Sequence, residues 1–288
     1  MLSVLIVNWN TKDKLRSCLA SIRRFPPDEP FEIIVVDNAS TDGSAEMVRS
    51  EFPSVSLIAS SANEGYAKGN NRAFGVAKGD WLLTLNADTE FEDDSLQKAI
   101  RELAFKTKFG ALAIRLVLPN GKTQRSVRGY PTVTNLFGEV TGLAKAFPKS
   151  RLASYSLPGF DYSEPGPAPQ PMGTFLLFRR AALEAVGDPS APFDERFPIF
   201  FNEVDLLKRL MAVGWPCWYS AAAHAVHHHG ASTSQARKSM IWESHKSLVR
   251  YLGKHARGLA WLALPFVAIA SYAVAFVRAK GYHAGFRP

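Results

Sequence analysis

Along the first ninety residues, short apolar runs alternate with segments whose apolar positions recur every three or four residues. "SVLIVNWN" (3–10) is an apolar run that stops at polar residues. "KDKLRSCLASIRRF" (12–25) places Leu15, Leu19 and Ile22 on one helical face. "FEIIVVDNAS" (31–40) is a second apolar run, ending at Asp37. "DGSAEMVRSEF" (42–52) reads as a helix and "VSLIAS" (55–60) as a third strand. "NRAFGVAKG" (71–79) is helical up to its closing glycine, and "DWLLTLNAD" (80–88) is a fourth strand. Strands this continuously apolar are covered on both faces. The pattern therefore predicts an α/β fold, a Rossmann-like, mainly parallel sheet flanked by helices. In such sheets ligands bind beyond the carboxyl ends of the strands, where Asn8, Asn10, Asp37 and Asp88 fall.

Past Leu118 the pattern changes. Residues 119–171 are rich in Gly, Pro and Ser and read as irregular loops, either a lid or substrate wall or a plain surface excursion. Order resumes with "GTFLLFRRAALEAVG" (173–187), a strand and then a helix. "FFNEVDLLKRLMAVG" (200–214) is a helix closed by Gly214, and "PCWYSAAAHAVHHHGAST" (216–233) is a strand running into a histidine-rich turn. Residues 258–277 are uncharged and bounded by Arg257 and Arg278, long enough to span a bilayer. Pro265 and the basic residues on both flanks favour instead a bent or interfacial helix, or a re-entrant hairpin, beside anionic lipid. An ordinary core helix or the contact of a homodimer is the remaining alternative.

Charge sharpens that picture. The net charge is +8, and residues 235–288 hold nine Lys/Arg against the single acid Glu243. The rest of the chain is neutral, so the basic surface belongs to the tail and no nucleic-acid partner is expected. Cys18 and Cys217 stand far apart in no metal-binding spacing, which fits a reducing, cytoplasmic setting. No basic segment or cleavage site precedes "LSVLIV", so no signal peptide is expected.

Several strand-end residues carry candidate chemistry. Asn86 and Asp88, two apart, point the same way and offer hard oxygens to Mg²⁺ or Mn²⁺, with phosphate completing the shell. The alternative is that Asp88 or Thr89 caps the helix starting near Asp93. Asp37 can accept hydrogen bonds from a ribose or base edge, or can serve turn chemistry. "NEGYAKGNN" (63–71) can let a phosphate approach its glycines and a helix N-terminus, or be a plain loop. Glu203 and Asp205 face different ways on a helix, so one works on substrate while the other orients or caps, unless both are solvated. His227, His228 and His229 are too close together for all three to bind one metal; one serves as a ligand or phosphate donor, or the run is a solvated turn.

Taken in order, "VLIVNWN", "IIVVDNASTDGS", "NEGYAKGNN", "LLTLNAD", "GTFLLFRRAALEAVG", "FDERFPIFFNEVDLLKRL" and "VHHHGAST" resemble the family-2 glycosyltransferases of the GT-A fold. The resemblance covers roughly residues 2–255 and is closest to rhamnosyltransferase-like enzymes of bacterial surface-polysaccharide assembly. It implies a GT-A domain over 1–255, with a nucleotide-binding half of about 1–118 and an acceptor half of about 119–255; the apolar, basic tail, 256–288, reads as a membrane-associated segment after it. It implies an inverting transfer of a sugar, rhamnose being one candidate, from a nucleoside diphosphate to a saccharide, lipid-linked acceptor on the inner membrane face. Asn8, Asn10, Asp37, Asn38, Asn63, Gly65, Gly69, Asn70, Asn86 and Asp88 would bind the donor. Asp88 and His227 would hold Mg²⁺ or Mn²⁺. Glu203 falls where the family's base, usually Asp, sits, with Asp205 as the second catalytic candidate. Glu moves the basic oxygen by about 1 Å relative to Asp, which motivates a rival: a catalytically silent sugar-nucleotide-binding or scaffold protein on the same fold. A sugar-1-phosphate nucleotidyltransferase is disfavoured, because "VNWNTKDKL" lacks a glycine-rich loop.

Overall fold

The computed structural model describes residues 1–228, 236–258 and 260–286. His229 of the histidine run, the rest of its turn, Leu259 and Arg287 lie outside the described residues. The chain begins with β1 (Leu2–Asn8), α1 (Lys12–Arg24), β2 (Phe31–Asp37), α2 (Ser44–Glu51), β3 (Ser56–Ala59), α3 (Tyr66–Val76) and β4 (Trp81–Asn86). Then come β5 (Thr89–Glu90), α4 (Ser95–Phe105), β6 (Ala111–Val117), β7 (Val127–Arg128), α5 (Val133–Thr141), α6 (Leu143–Ala146), β8 (Gly166–Pro167) and β9 (Gln170–Pro171). The last elements are β10 (Phe175–Arg179), α7 (Arg180–Glu184), α8 (Asn202–Ala212), β11 (Cys217–His227), α9 (Arg237–His255) and α10 (Ala260–Ala279).

The main sheet runs β3-β2-β1-β4-β10-β6-β11-β5, with β8 paired to β11. The core pairs of β1 with β2 and β4, of β2 with β3, and of β6 with β11 are parallel. β10 enters antiparallel between β4 and β6, so the sheet is mixed but mostly parallel. Period-two alternation sorts β1 between two cores. Leu2, Val4 and Ile6 meet Leu15, Leu19 and Ile22 of α1 and Leu96 and Ile100 of α4. Leu5 faces Phe74 of α3 and Leu206, Leu207 and Leu210 of α8. Each such fully buried side chain contributes about 1.5–3 kcal/mol. The register sets Asn8 level with Asp37, and Val7 level with Asn86, so three strand ends finish side by side.

Three segments differ from the sequence pattern. α3 begins at Tyr66, ahead of the expected Asn71. Gly65, with φ +89°, turns the chain into it, and Asn70 and Asn71 hydrogen-bond inside and across the helix instead of forming a loop. Residues 119–171 contain α5, α6 and a two-stranded β7–β9 ribbon. α5 is started by a reciprocal capping box of Thr132 and Asn135. The tail is no loose appendage. α10 packs on α9 through Ser271, Ala275 and Ala279, with Trp242 stacked on Tyr272 at 6.1 Å and His245 hydrogen-bonded to Ser271 at 2.8 Å. Its other faces expose Trp261, Leu262, Phe266, Ile269 and Val277. α10 is long and apolar enough to cross a membrane by length and composition alone. α5 lies against it, Leu136 sharing a cluster with Leu264 and Val267, while Phe137 and Val140 of α5 are exposed.

Candidate active site

A cavity of about 940 Å³ opens at the carboxyl ends of the central strands. Asn38, Asn63, Asn86, Asp88, Glu203 and His227 line it. Asn8, Asn10, Asp37, Gly65, Gly69, Asn70 and Asp205 do not, and hydrogen bonding and packing explain most of these. Asn8 is fully buried; its amide donates to Asp37 (2.9 Å) and Ser40 (3.2 Å), and its carbonyl accepts from Thr11 (2.7 Å). The second Asp37 oxygen accepts from the Ser40 backbone at 3.0 Å. Asn10, at φ 50°, accepts from the Thr41 backbone at 2.8 Å. Together these residues lock the β1 and β2 ends. Gly69 lets α3 approach β1, since a Cβ there would meet Val7 at 2.9 Å. Asn38, anchored to the Gly65 carbonyl at 2.9 Å, is the member of this group that reaches the wall.

Asp88 and His227 meet across the cavity floor, with His227 Nε2 3.4 Å from an Asp88 oxygen and 3.5 Å from Thr174 Oγ1. Gln124 Oε1 lies 2.8 Å from His227 Nδ1. A carbonyl oxygen only accepts, so Nδ1–H is the donor in that contact and Nε2 is the nitrogen turned toward Asp88. His228 turns away to Glu90 at 2.9 Å. Helix capping does not occupy Asp88: Asp93 accepts from the Ser95 backbone at the start of α4. Among the described residues no three His, Cys, Asp or Glu side chains cluster for a metal. A carboxylate, an imidazole and the nearby Asn86 amide suit a divalent cation that takes its remaining ligands from water and a diphosphate.

Glu203 sits in the first turn of α8, after Phe201 at φ 68°. The bare backbone of Gly173 lies against it; a Cβ there would come within 3.3 Å of Glu203. Burial pushes the Glu203 carboxyl up to about 7, the range suited to a base working near neutrality. Asp205 departs from its catalytic expectation. It is fully buried away from the cavity wall, paired with Arg209 (2.8 Å), Lys254 (2.7 Å) and His255 (2.8 Å). Burial alone would raise its carboxyl, but hydrogen bonds from His255 and Lys254 and the charge of Arg209 hold it below its ordinary value. It ties α8 to α9.

The wall also contains residues that sequence reasoning passed over: Trp9, Arg125, Arg128, Tyr155 and the segment from Tyr282 to Phe286. Glu243 of α9 holds the Phe286 backbone at 3.2 Å, and Lys246 holds the Ala284 carbonyl at 2.6 Å. Among these, only Trp9 carried a signal in the sequence, as an aromatic side chain just past a strand end.

The profile of glycosyl transferase family 2 matches residues 3–187, well over half of the chain. The chain belongs to that family. This family-2 glycosyltransferase is 28% identical, over 92% of its length and 87% of the relative's, to an N-acetylglucosaminyl-diphospho-decaprenol L-rhamnosyltransferase of Mycobacterium tuberculosis. It is 25% identical to the rhamnosyltransferase WbbL of Escherichia coli, covering 88% of this chain and 93% of that protein. In fold it is similar to a mannosyltransferase from Pyrobaculum calidifontis solved with GDP-Man and Mn²⁺ (TM-score 0.58, 20% identity, covering all of this chain and 76% of that one). It is also similar to TarS from S. aureus with UDP-GlcNAc (TM-score 0.55, 16% identity, 98% and 93% covered). These likenesses agree with the GT-A architecture expected from the sequence.

Proposed function

We propose that this glycosyltransferase inverts the anomeric centre as it moves a sugar from a nucleoside diphosphate to a lipid-linked saccharide. The two rhamnosyltransferase relatives support rhamnose as the donor sugar, in surface-polysaccharide assembly. One observation carries the reading: a carboxyl poised at about 7, Glu203, shares a cavity with the Asp88–His227 pair. Glu203 takes the proton of the acceptor hydroxyl, which attacks opposite the departing diphosphate. Asn38, Asn63 and Trp9 line the wall where a nucleoside would lie, framed by the Asn8–Asp37 lock. Asp88 and His227, with Asn86 nearby, would hold Mg²⁺ or Mn²⁺, which when bound neutralises charge growing on the diphosphate. A silent scaffold would have no need of a destabilising buried carboxyl facing a cavity of this size. The test is transfer by purified protein from a panel of nucleoside-diphosphate sugars, including rhamnose, to a prenyl-diphosphate saccharide. Product with retained anomeric configuration, or no transfer from any donor, would sink the reading.

The enzyme would work on the cytosolic membrane face. α10 exposes Trp261, Phe266 and Ile269, flanked by Arg257, Arg278 and Lys280, and no acid follows Glu243. Neighbouring α5 adds Phe137 and Val140. Apolar anchors ringed by cations suit an anionic bilayer surface. Cutting the tail near Lys254 would also strip Tyr282 to Phe286 from the cavity wall, so point substitutions are the cleaner test. Trp261→Ser/Phe266→Ser/Ile269→Ser should stop flotation with anionic vesicles while nucleotide binding persists. If wild-type protein does not float at low salt and instead dimerises as concentration rises, a second copy covers α10.

A further inference from the structure

The cavity holds two cations that the transfer chemistry above does not use. Arg125 and Arg128 both line it, yet among the described residues neither makes an ion pair or a hydrogen bond to a carboxylate. Other arginines near acids are matched: Arg72 with Glu64 (2.6 Å), Arg209 with Asp205 (2.8 Å), Arg250 with Glu243 (2.8 Å). The Arg128 guanidinium lies over the Tyr155 ring, 5.8 Å from its centroid. Tyr155 in turn is close enough to Glu203 to feel its charge, which helps burial raise the phenol. The pair therefore shares the cavity with the base, Arg128 by way of Tyr155. It comes from β7 and the residues before it, whereas Asp88 and His227 come from the ends of β4 and β11.

The backbone that carries the pair is fixed. Arg128 is in register with Gln170 of β9, Met172 donates to the Ser126 carbonyl at 2.8 Å, and the Tyr162 hydroxyl accepts from the Val127 N–H at 2.9 Å and donates to the Val127 carbonyl at 3.4 Å. A few residues after Arg128 the chain enters α5, whose exposed Phe137 and Val140 lie beside α10.

We infer that Arg125 and Arg128 form a subsite for the diphosphate linker of the acceptor. Guanidinium forks match phosphate oxygens with paired N–H donors, and two cations balance a diphosphate's charge. A diphosphate held there sets its saccharide toward Glu203 and its lipid chain toward the α5–α10 side. The inference rests on the reading of the acceptor as lipid-linked, and its tests separate the two.

The first measurement needs no turnover. Titration calorimetry in detergent compares farnesyl diphosphate with uncharged farnesol, on wild-type protein and Arg125→Ala/Arg128→Ala. Both arginines are exposed, so the variant keeps its fold. Wild type should prefer the diphosphate, and the double variant should lose at least about ten-fold affinity for it. Arg128→Lys should retain part of the affinity, keeping charge without the fork. Binding of a nucleoside diphosphate with Mn²⁺ should be unchanged. An equal loss of nucleoside-diphosphate binding assigns the arginines to the donor and overturns the inference. So does farnesyl diphosphate binding that is the same in both proteins, or no preference over farnesol. In turnover, the double variant should raise KM for a prenyl-diphosphate saccharide and leave an uncharged alkyl glycoside acceptor unaffected. Failure of wild type to transfer at all would sink the glycosyl-transfer reading, while the calorimetry still decides the arginines.

Discussion

The two sides of the cavity are built on opposite plans. At the β1 and β2 ends, Asn8, Asn10, Thr11, Asp37, Ser40 and Thr41 bond to one another. The proposed acceptor side leaves Arg125 and Arg128 without acidic partners among the described residues, and Phe137, Val140 and the outer faces of α10 in solvent. Satisfied buried polar groups make a rigid frame, because each unmade bond would carry a desolvation penalty of about 1–3 kcal/mol. Exposed cations and contiguous apolar side chains instead mark surfaces whose partner lies outside the protein. A small, always similar nucleotide suits the first plan, and a large amphiphile entering from a membrane suits the second.

Disabling the chemistry between these sides should give the largest effect. Glu203→Gln keeps the shape and cannot accept a proton, so kcat should fall about 10²–10⁴-fold with donor affinity retained. In wild type the base works only when ionised, so kcat/KM should rise as pH increases through about 7. Asp88→Ala should remove Mn²⁺ binding, read by electron paramagnetic resonance, with an unchanged melting profile. A near-normal Glu203→Gln beside a dead Asp205→Asn of intact fold would reverse the assignment of the two acids.

The same carboxyl makes a stability prediction. Unfolded, Glu203 ionises near its ordinary 4.5; folded, it keeps its proton up to about 7. Stability linked to this group is therefore complete below pH 4.5 and is lost as pH rises to about 7. The gap corresponds to at most about 3–4 kcal/mol. Glu203→Gln should thus be more stable than wild type at pH 8, and the two should converge near pH 4.5. Parallel urea curves across that range would show that the site carries no such strain.

On the donor side the next effect is smaller. Gln124 meets His227 Nδ1 with its amide oxygen and Met172 Sδ with its amide nitrogen, fixing which imidazole nitrogen faces Asp88. Gln124→Leu frees that choice and should weaken Mn²⁺ affinity about 10–100-fold, with Gln124→Glu recovering part of it. Unchanged affinity in both variants would show that Asp88 alone sets the site.

The difference between the sides also governs what the sequence reveals. The central strands, α1 and α2 follow period-two or helical spacing, and the separation of Glu203 from Asp205 follows from the helix itself. Asp37 was visible as a strand-end acid, but its partners Asn8 and Ser40 lie 29 and 3 residues away, and nothing local distinguishes an acid that binds ligand from one that braces a loop. α5 was hidden because its cap uses Asn135 where Glu or Gln would announce a box. Arg125 and Gln124 sit in an irregular segment, placed at the cavity by the Gln124 backbone bond to Leu116 of β6 and the β7–β9 pairing that follows.

The smallest effect tests whether the acceptor side meets the bilayer as one surface or through α10 alone. Phe137 is 58% exposed and Val140 is 85% exposed on a helix that packs against α10. Full burial of such side chains is worth about 1.5–3 kcal/mol each, and shallow interfacial burial about half of that or less. Phe137→Ser/Val140→Ser should therefore weaken binding to anionic vesicles about ten-fold, leaving nucleotide binding intact. High salt should weaken wild type and variant alike, since the cations around α10 are untouched. If the variant binds as wild type does while the α10 triple variant does not bind, α5 stands clear of the lipid, and the apolar contact shrinks to the single helix.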